Sequence, residues 1–328
     1  MPADNLFQPV LFFVLGATAI WLGGSRLPET GNKLAGKLGI SATAIGLFVL
    51  SIVTSLPELS VTLAAMLKEG APNLAFGNIF GSNNFNITSI VVIEFLATGV
   101  FLHNVDRERY TRTCWYLLAL TLVASLGVIV GRHLESLLLT ALLFSVPIVA
   151  IFFYDSLIHG RRRGKANRVA GATDVEGSTS GVVLRFLAFS AVVVAGGFMI
   201  ASGANGIATY EFSGGLRLGH TFVGTLLVAI ATSMPEVSVA FAAIRRAKLE
   251  DMALGTLLGS NMVNILVFAV GALLAVRTPQ SGWPNISPWN LVSTAGAFLL
   301  TLFVLVGLNS RSHRAGRAVA RAMVALMI

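Results

Sequence analysis

The chain has little charge and almost no cysteine. Only 12% of its 328 residues are Asp, Glu, Lys or Arg, too few to coat a soluble protein of this size. The single Cys114 excludes an internal disulfide and a cysteine-based metal cluster. The five histidines are scattered, without ligand spacing. No nucleophile–base set, Walker loop or dinucleotide fingerprint occurs, so the expectation is a protein that is not an enzyme, holds no resident cofactor and is not driven by ATP. Met1-Pro2-Ala3-Asp4-Asn5 lacks the basic region that opens a cleaved signal peptide, and the first apolar stretch is read as a retained span. The net charge of +8 does not point to nucleic acid, because the basic residues sit in short loops with little aromatic interleaving.

What fills the chain instead is apolar. Hydrophobic residues make up 55% of it and mean hydropathy is +0.79. Several stretches exceed the roughly 20 residues that cross a bilayer as a helix. Spans are expected at 7–25, 40–66, 72–100, 113–131, 135–156, 183–207, 218–244, 250–275 and 290–308, with a shorter segment after Arg311. An outside N-terminus leaves only Lys68, Arg132, Arg217 and Arg277 on the outer side and puts the other 19 of 23 Lys and Arg inside, as the positive-inside rule requires. The basic, then Gly/Ser/Thr-rich stretch 159–182 becomes a cytoplasmic linker between two halves, 1–158 and 183–328. Five spans precede it, so the halves enter the membrane with opposite orientation. The expected fold is an all-α integral membrane protein of two inverted-topology repeats, about five helices each. Its tenth helix, 314–328, is short or truncated, or lies at the interface. The expected location is a prokaryotic cytoplasmic membrane.

One motif occurs twice, 178 positions apart. Ser51-Ile52-Val53-Thr54-Ser55-Leu56-Pro57-Glu58 answers to Ala229-Ile230-Ala231-Thr232-Ser233-Met234-Pro235-Glu236. Downstream, Gly77-Asn78-Ile79-Phe80-Gly81-Ser82-Asn83-Asn84-Phe85-Asn86 answers to Gly255-Thr256-Leu257-Leu258-Gly259-Ser260-Asn261-Met262-Val263-Asn264. A glutamate in a membrane span is costly and marks function. On a helix, Thr54, Ser55 and Glu58 share one side. Pro57 donates no N–H and crowds the Val53 carbonyl, which is then free to face protein, water or an ion. The second copy repeats each element with Thr232, Ser233, Pro235 and Glu236. Ser82 with Asn86, and Ser260 with Asn264, add a hydroxyl and an amide oxygen each. Carboxylates, hydroxyls and carbonyls are hard oxygen donors suited to Ca²⁺ or Na⁺. No Lys or Arg lies within these four spans, which leaves a mobile cation or a proton as the partner of the glutamates.

These segments resemble the alpha-repeats of the cation/Ca²⁺ antiporter superfamily, in its sodium/calcium exchanger branch. The resemblance implies a ten-helix exchanger in which the first helix of each half moves against a rigid core. It implies that Glu58 and Glu236 ligate Ca²⁺ and share in Na⁺ binding. Ser55, Ser233, Ser82 and Ser260 would line the Na⁺ sites, with the carbonyls of Ser51, Ala229, Thr54 and Thr232, and Asn86 and Asn264 would stand at the middle. Some prokaryotic members carry Asp where this chain has Asn264, and the usual Gly before Thr-Ser is Val53 or Ala231 here. The Pro-Glu pairs and the serines favour Na⁺ over H⁺ as the counter-ion. The rival readings are a H⁺-coupled antiporter for Ca²⁺ or another divalent ion and, more remotely, a cation channel. Each feature also has a plainer explanation: Pro57 as a kink, the Ser/Asn sets as interhelical glue, and Glu94, whose counterpart is Ala272, as an acid that snorkels or pairs at a helix end. The expected partners are the transported ions and the lipid bilayer, without nucleic acid. Oligomeric state stays open.

Overall fold

A computed structural model describes residues 5–37, 53–96, 101–134, 136–153, 178–212, 215–244, 250–277 and 282–310. Among them every regular element is helical. In chain order these are α1 (Phe7–Gly24), α2 (Leu27–Lys37), α3 (Leu56–Leu67), α4 (Pro72–Leu96) and α5 (Arg107–Gly131). Then come α6 (Leu137–Phe153), α7 (Thr179–Thr209), α8 (His220–Phe222, π-helical Val223–Val228, then Ala229–Ala242), α9 (Glu250–Leu274) and α10 (Asn290–Asn309). Among the described residues, seven helices are long and apolar enough to cross a membrane. The described parts of two further expected spans, α3 and Leu137–Phe153, are shorter apolar helices. Large apolar side chains face outward, among them Leu184, Trp289 and Val292, each at least 70% exposed. Such a surface suits lipid, not water, and the protein is an integral membrane protein.

Three details differ from the sequence reading. The stretch after Arg26, expected as a loop, forms the amphipathic helix α2. Helix α7 starts inside the expected linker, because Ser178 caps it by accepting the Gly181 N–H at 3.1 Å. Of the two expectations for Glu94, to snorkel or to pair, the structure departs from the first and shows the second: it is 3% exposed, and its Oε2 accepts the Leu102 N–H at 2.8 Å from the 3₁₀ turn Phe101–His103. The rest of the linker and the segment 314–328 lie outside the described residues.

Helices α4 and α9 form the centre. Their bounds are offset by the same 178 residues as the motif. Each is mostly buried, and between them they touch α3, α5, α6, α8 and α10. Close approach depends on missing side chains. A β-carbon at Gly81 would collide with the Thr225 carbonyl on the π-helical part of α8, so glycine lets α4 lie directly on that backbone. Helices α1 and α7 form a second tight pair, where a β-carbon at Gly16 would come within 2.6 Å of the Gly196 carbonyl. This pair rests on the glutamate helices: α7 packs on α3 and α1 on α8.

Candidate functional site

The two motif copies build their glutamate segments differently. In the first, Val53 and Thr54 are helical, Ser55 is a turn, and α3 restarts at Leu56. Pro57 thus falls in the first turn, where its missing N–H costs nothing, and Ser60 Oγ donates to the Pro57 carbonyl at 2.9 Å. In the second copy Pro235 lies inside a continuous helix, Ala229–Ala242, directly after the π-helical stretch Val223–Val228. Irregular helix of this kind is tolerated at membrane depth only where protein surrounds it.

The segments converge. Glu58, Glu236, Ser82, Ser260, Asn86, Asn264, Thr232, Ser233 and Ala229 are 0% exposed, and Thr54 and Ser55 are 1%. Their contacts are reciprocal between the halves. Thr54 Oγ1 lies 3.2 Å from Ser260 Oγ, and Thr232 Oγ1 lies 3.2 Å from Ser82 Oγ. Asn83 Nδ2 donates to the Asn261 carbonyl at 3.2 Å, and Asn261 Nδ2 to the Asn83 carbonyl at 3.1 Å. Asn86 Nδ2 donates to Asn261 Oδ1 at 3.0 Å, and Asn264 Nδ2 to Asn83 Oδ1 at 3.1 Å. Each pair maps onto the other by the offset of 178. Such exchange is the signature of a twofold-related, self-complementary contact, here within one chain. Of the residues expected at the site, Ser51 alone lies outside those described.

Where the reciprocity fails is also informative. Ser233 Oγ donates to Glu58 Oε1 at 3.1 Å, whereas Ser55 Oγ has no hydrogen-bond partner and Glu236 faces the Glu58 carboxylate with no hydroxyl or N–H donor on either of its oxygens. Glu58 Oε2, Asn86 Oδ1 and Asn264 Oδ1 are likewise buried and unpartnered. Six oxygens, three of them on carboxylates, thus lie in the protein interior without a donor. A buried carboxylate must be paired, coordinated or protonated. The ion pairs among the described residues, such as Lys68–Glu69 and Arg217–Glu211, sit elsewhere, and no Lys or Arg side chain is within these helices. What remains is an oxygen-lined centre whose two acids must take up a cation or a proton, with the chemistry of a hard-cation site.

Sequence reasoning passed over three residues here. Asn83 and Asn261 repeat at the same offset as their neighbours, a signal that was available. Asn78 does not: its counterpart is Thr256. Its Nδ2 donates to Thr62 Oγ1 at 3.1 Å and to the Glu58 carbonyl at 3.4 Å, while its Oδ1 accepts from Thr232 Oγ1 at 3.1 Å.

Comparison with known proteins identifies the family and the fold. The family model described as sodium/calcium exchanger protein matches residues 8–173 and 181–328. Inner membrane protein YrbG of Escherichia coli (strain K12) is 28% identical over 269 residues, spanning 81% of this chain and 79% of that protein. Sodium/calcium exchanger MaX1 of Methanosarcina acetivorans is 25% identical over 288 residues, spanning 78% and 80%. A solved structure of the sodium-calcium exchanger NCX_Mj superposes with a TM-score of 0.56 at 22% identity, covering 98% of this chain and 97% of that one, which establishes a common fold. The chain therefore belongs to the sodium/calcium exchanger protein family and is a membrane antiporter.

Proposed function

We propose that this antiporter exchanges Ca²⁺ for Na⁺ at the buried centre between α3, α4, α8 and α9. The observation that carries the reading is the set of six unpartnered buried oxygens, with carboxylates from both halves and no cationic side chain among them. Glu58 and Glu236 together neutralise one Ca²⁺ and also serve Na⁺. Asn86 and Asn264 present amide oxygens at the middle. Ser55, Ser233, Ser82 and Ser260 complete the flanking Na⁺ sites, with carbonyls of Thr54, Thr232, Ala229 and Ser51.

Exchange follows from charge. Without cations the centre carries two buried carboxylates, and burying them uncompensated is prohibitive. The bare site therefore does not cross between the two access states, while the Ca²⁺-loaded and Na⁺-loaded forms do. One ion can leave only if the other replaces it. The halves 1–158 and 183–328 act as inverted repeats about this centre, with the N-terminus outside and the linker in the cytoplasm.

The test is Ca²⁺ uptake into proteoliposomes loaded with Na⁺ and diluted into Na⁺-free buffer, beside vesicles carrying only a proton gradient. Uptake that requires internal Na⁺ and vanishes in Glu58→Gln supports the proposal. Uptake driven by the proton gradient alone replaces it with H⁺ coupling, and uptake that needs neither gradient replaces it with a channel.

A further inference from the structure

An amide side chain has an oxygen end and an N–H end of nearly the same shape, and its hydrogen-bond partners decide which end points where. A cation site needs the oxygen. Asn86 and Asn264 stand at the centre with Oδ1 unpartnered, and the cause can be followed outward. Their Nδ2 groups are occupied, donating to Asn261 Oδ1 and Asn83 Oδ1. Those two oxygens are turned inward because the Nδ2 of each of Asn83 and Asn261 donates to the main-chain carbonyl of the other. A main-chain carbonyl is an acceptor only and cannot flip. The polarity fixed at two backbone oxygens thus passes through two amides to two more. Flipping any one of them would set oxygen against oxygen or N–H against N–H. All four asparagines are 0% exposed, so no water relieves such a mismatch.

We infer that Asn83 and Asn261 are positioning residues for cation binding: each locks the amide of the other half's central asparagine, Asn264 or Asn86, with its oxygen toward the ion. This rests on the proposed site. It also explains how the chain uses Asn264. A carboxylate at that position would offer oxygen in either rotation, whereas an amide needs the lock.

The experiment is a pair of double-mutant cycles in purified full-length protein, reading the Ca²⁺ concentration for half-maximal uptake, with melting temperature alongside. Asn83→Ala should raise that concentration about tenfold in the wild-type background and no more than about twofold when Asn264 is already Asp, a non-additivity expected only between coupled groups. Asn261→Ala with Asn86→Asp is the mirror cycle and serves if Asn83→Ala does not fold. If alanine costs the same in both backgrounds, or lowers the melting temperature while the Ca²⁺ dependence stays fixed, these asparagines only join α4 to α9 and the inference is overturned. Glu58→Gln separates the two ideas. If it retains exchange, the site assignment itself fails; if it abolishes exchange while both alanine variants are silent, only the positioning role fails.

Discussion

The two halves carry the same oxygen donors but support them differently. In the first half Asn78 joins α4 to α3 through Thr62 and the Glu58 carbonyl, and Glu58 accepts a hydrogen bond from Ser233. In the second half the corresponding residues are Thr256 and Ala240. Thr256 turns its hydroxyl to the Met252 carbonyl of its own helix at 2.9 Å, so it gives α8 no such tie, and no hydroxyl or N–H donor reaches either Glu236 oxygen. The oxygen donors and the asparagines that orient the central amides are repeated, and the support around the two carboxylates is not. Glu58 is the carboxylate braced by a hydroxyl, and Glu236 the one that faces only Glu58.

The most severe way to probe that contrast is to neutralise each acid. Glu58→Gln and Glu236→Gln should each abolish exchange, because either leaves one negative charge against a divalent ion and puts an amide N–H among oxygen ligands. The two acids then differ in stability instead. Glu236→Gln should lose less in melting temperature, since no hydroxyl donates to that side chain and the new amide N–H can donate to the facing Glu58 carboxylate. Substantial Ca²⁺ uptake in either variant would show that the halves are not partners in one site.

A second contrast lies at the helices that rest on the glutamate segments. Gly197 on α7 corresponds by the same offset to Ala19 on α1. A β-carbon at Gly197 would collide with the Ser60 side chain and reach 3.1 Å from the Ser60 carbonyl carbon. Gly197→Ala, which makes the second half resemble the first, should therefore destabilise by about 1–3 kcal/mol through overpacking. A thermal-shift assay checks this. An unchanged melting temperature would mean that α7 does not sit on α3 as described.

Next in size is Asn78→Thr, which copies the second half's residue into the first. It removes the donor to Thr62 and to the Glu58 carbonyl and the acceptor of Thr232, for a loss of about 1–3 kcal/mol. The Ca²⁺ dependence of uptake should weaken with it. If affinity holds, the brace on Glu58 is ornamental to binding and the asymmetry between halves has no functional weight.

How much of this could be read from the residues alone follows their linear pattern. Helices α4 and α9 were legible almost to the residue, because Pro72 and Glu250 open long apolar runs. The ligand-bearing residues were legible because they recur in register. Asn78 was not, because a search for repetition discards a residue whose counterpart differs. The orientation of the four central amides was not either, since it depends on contacts between positions 175–181 apart. Glu94 was legible only as an acid that snorkels or pairs: it pairs, and its partner, the Leu102 N–H of the Phe101–His103 turn, leaves no trace in helix periodicity.

The finest discrimination compares two serines at equivalent positions. Ser233 Oγ is engaged with Glu58, whereas Ser55 Oγ touches no hydrogen-bond partner. Ser233→Ala removes a bond that orients a carboxylate shared by both ions, so half-maximal concentrations for Ca²⁺ and Na⁺ should both rise, roughly threefold to tenfold for a single hydrogen bond. Ser55→Ala removes an oxygen that no protein group uses. Its effect should appear in the Na⁺ dependence alone, with Ca²⁺ affinity kept, because neither carboxylate loses a partner. Uptake titrated with each ion in both variants makes the comparison. Equal effects of the two substitutions on both ions would mean that Glu58 and Glu236 are braced alike during exchange, and that the difference between the halves belongs to one access state and not to the transport cycle.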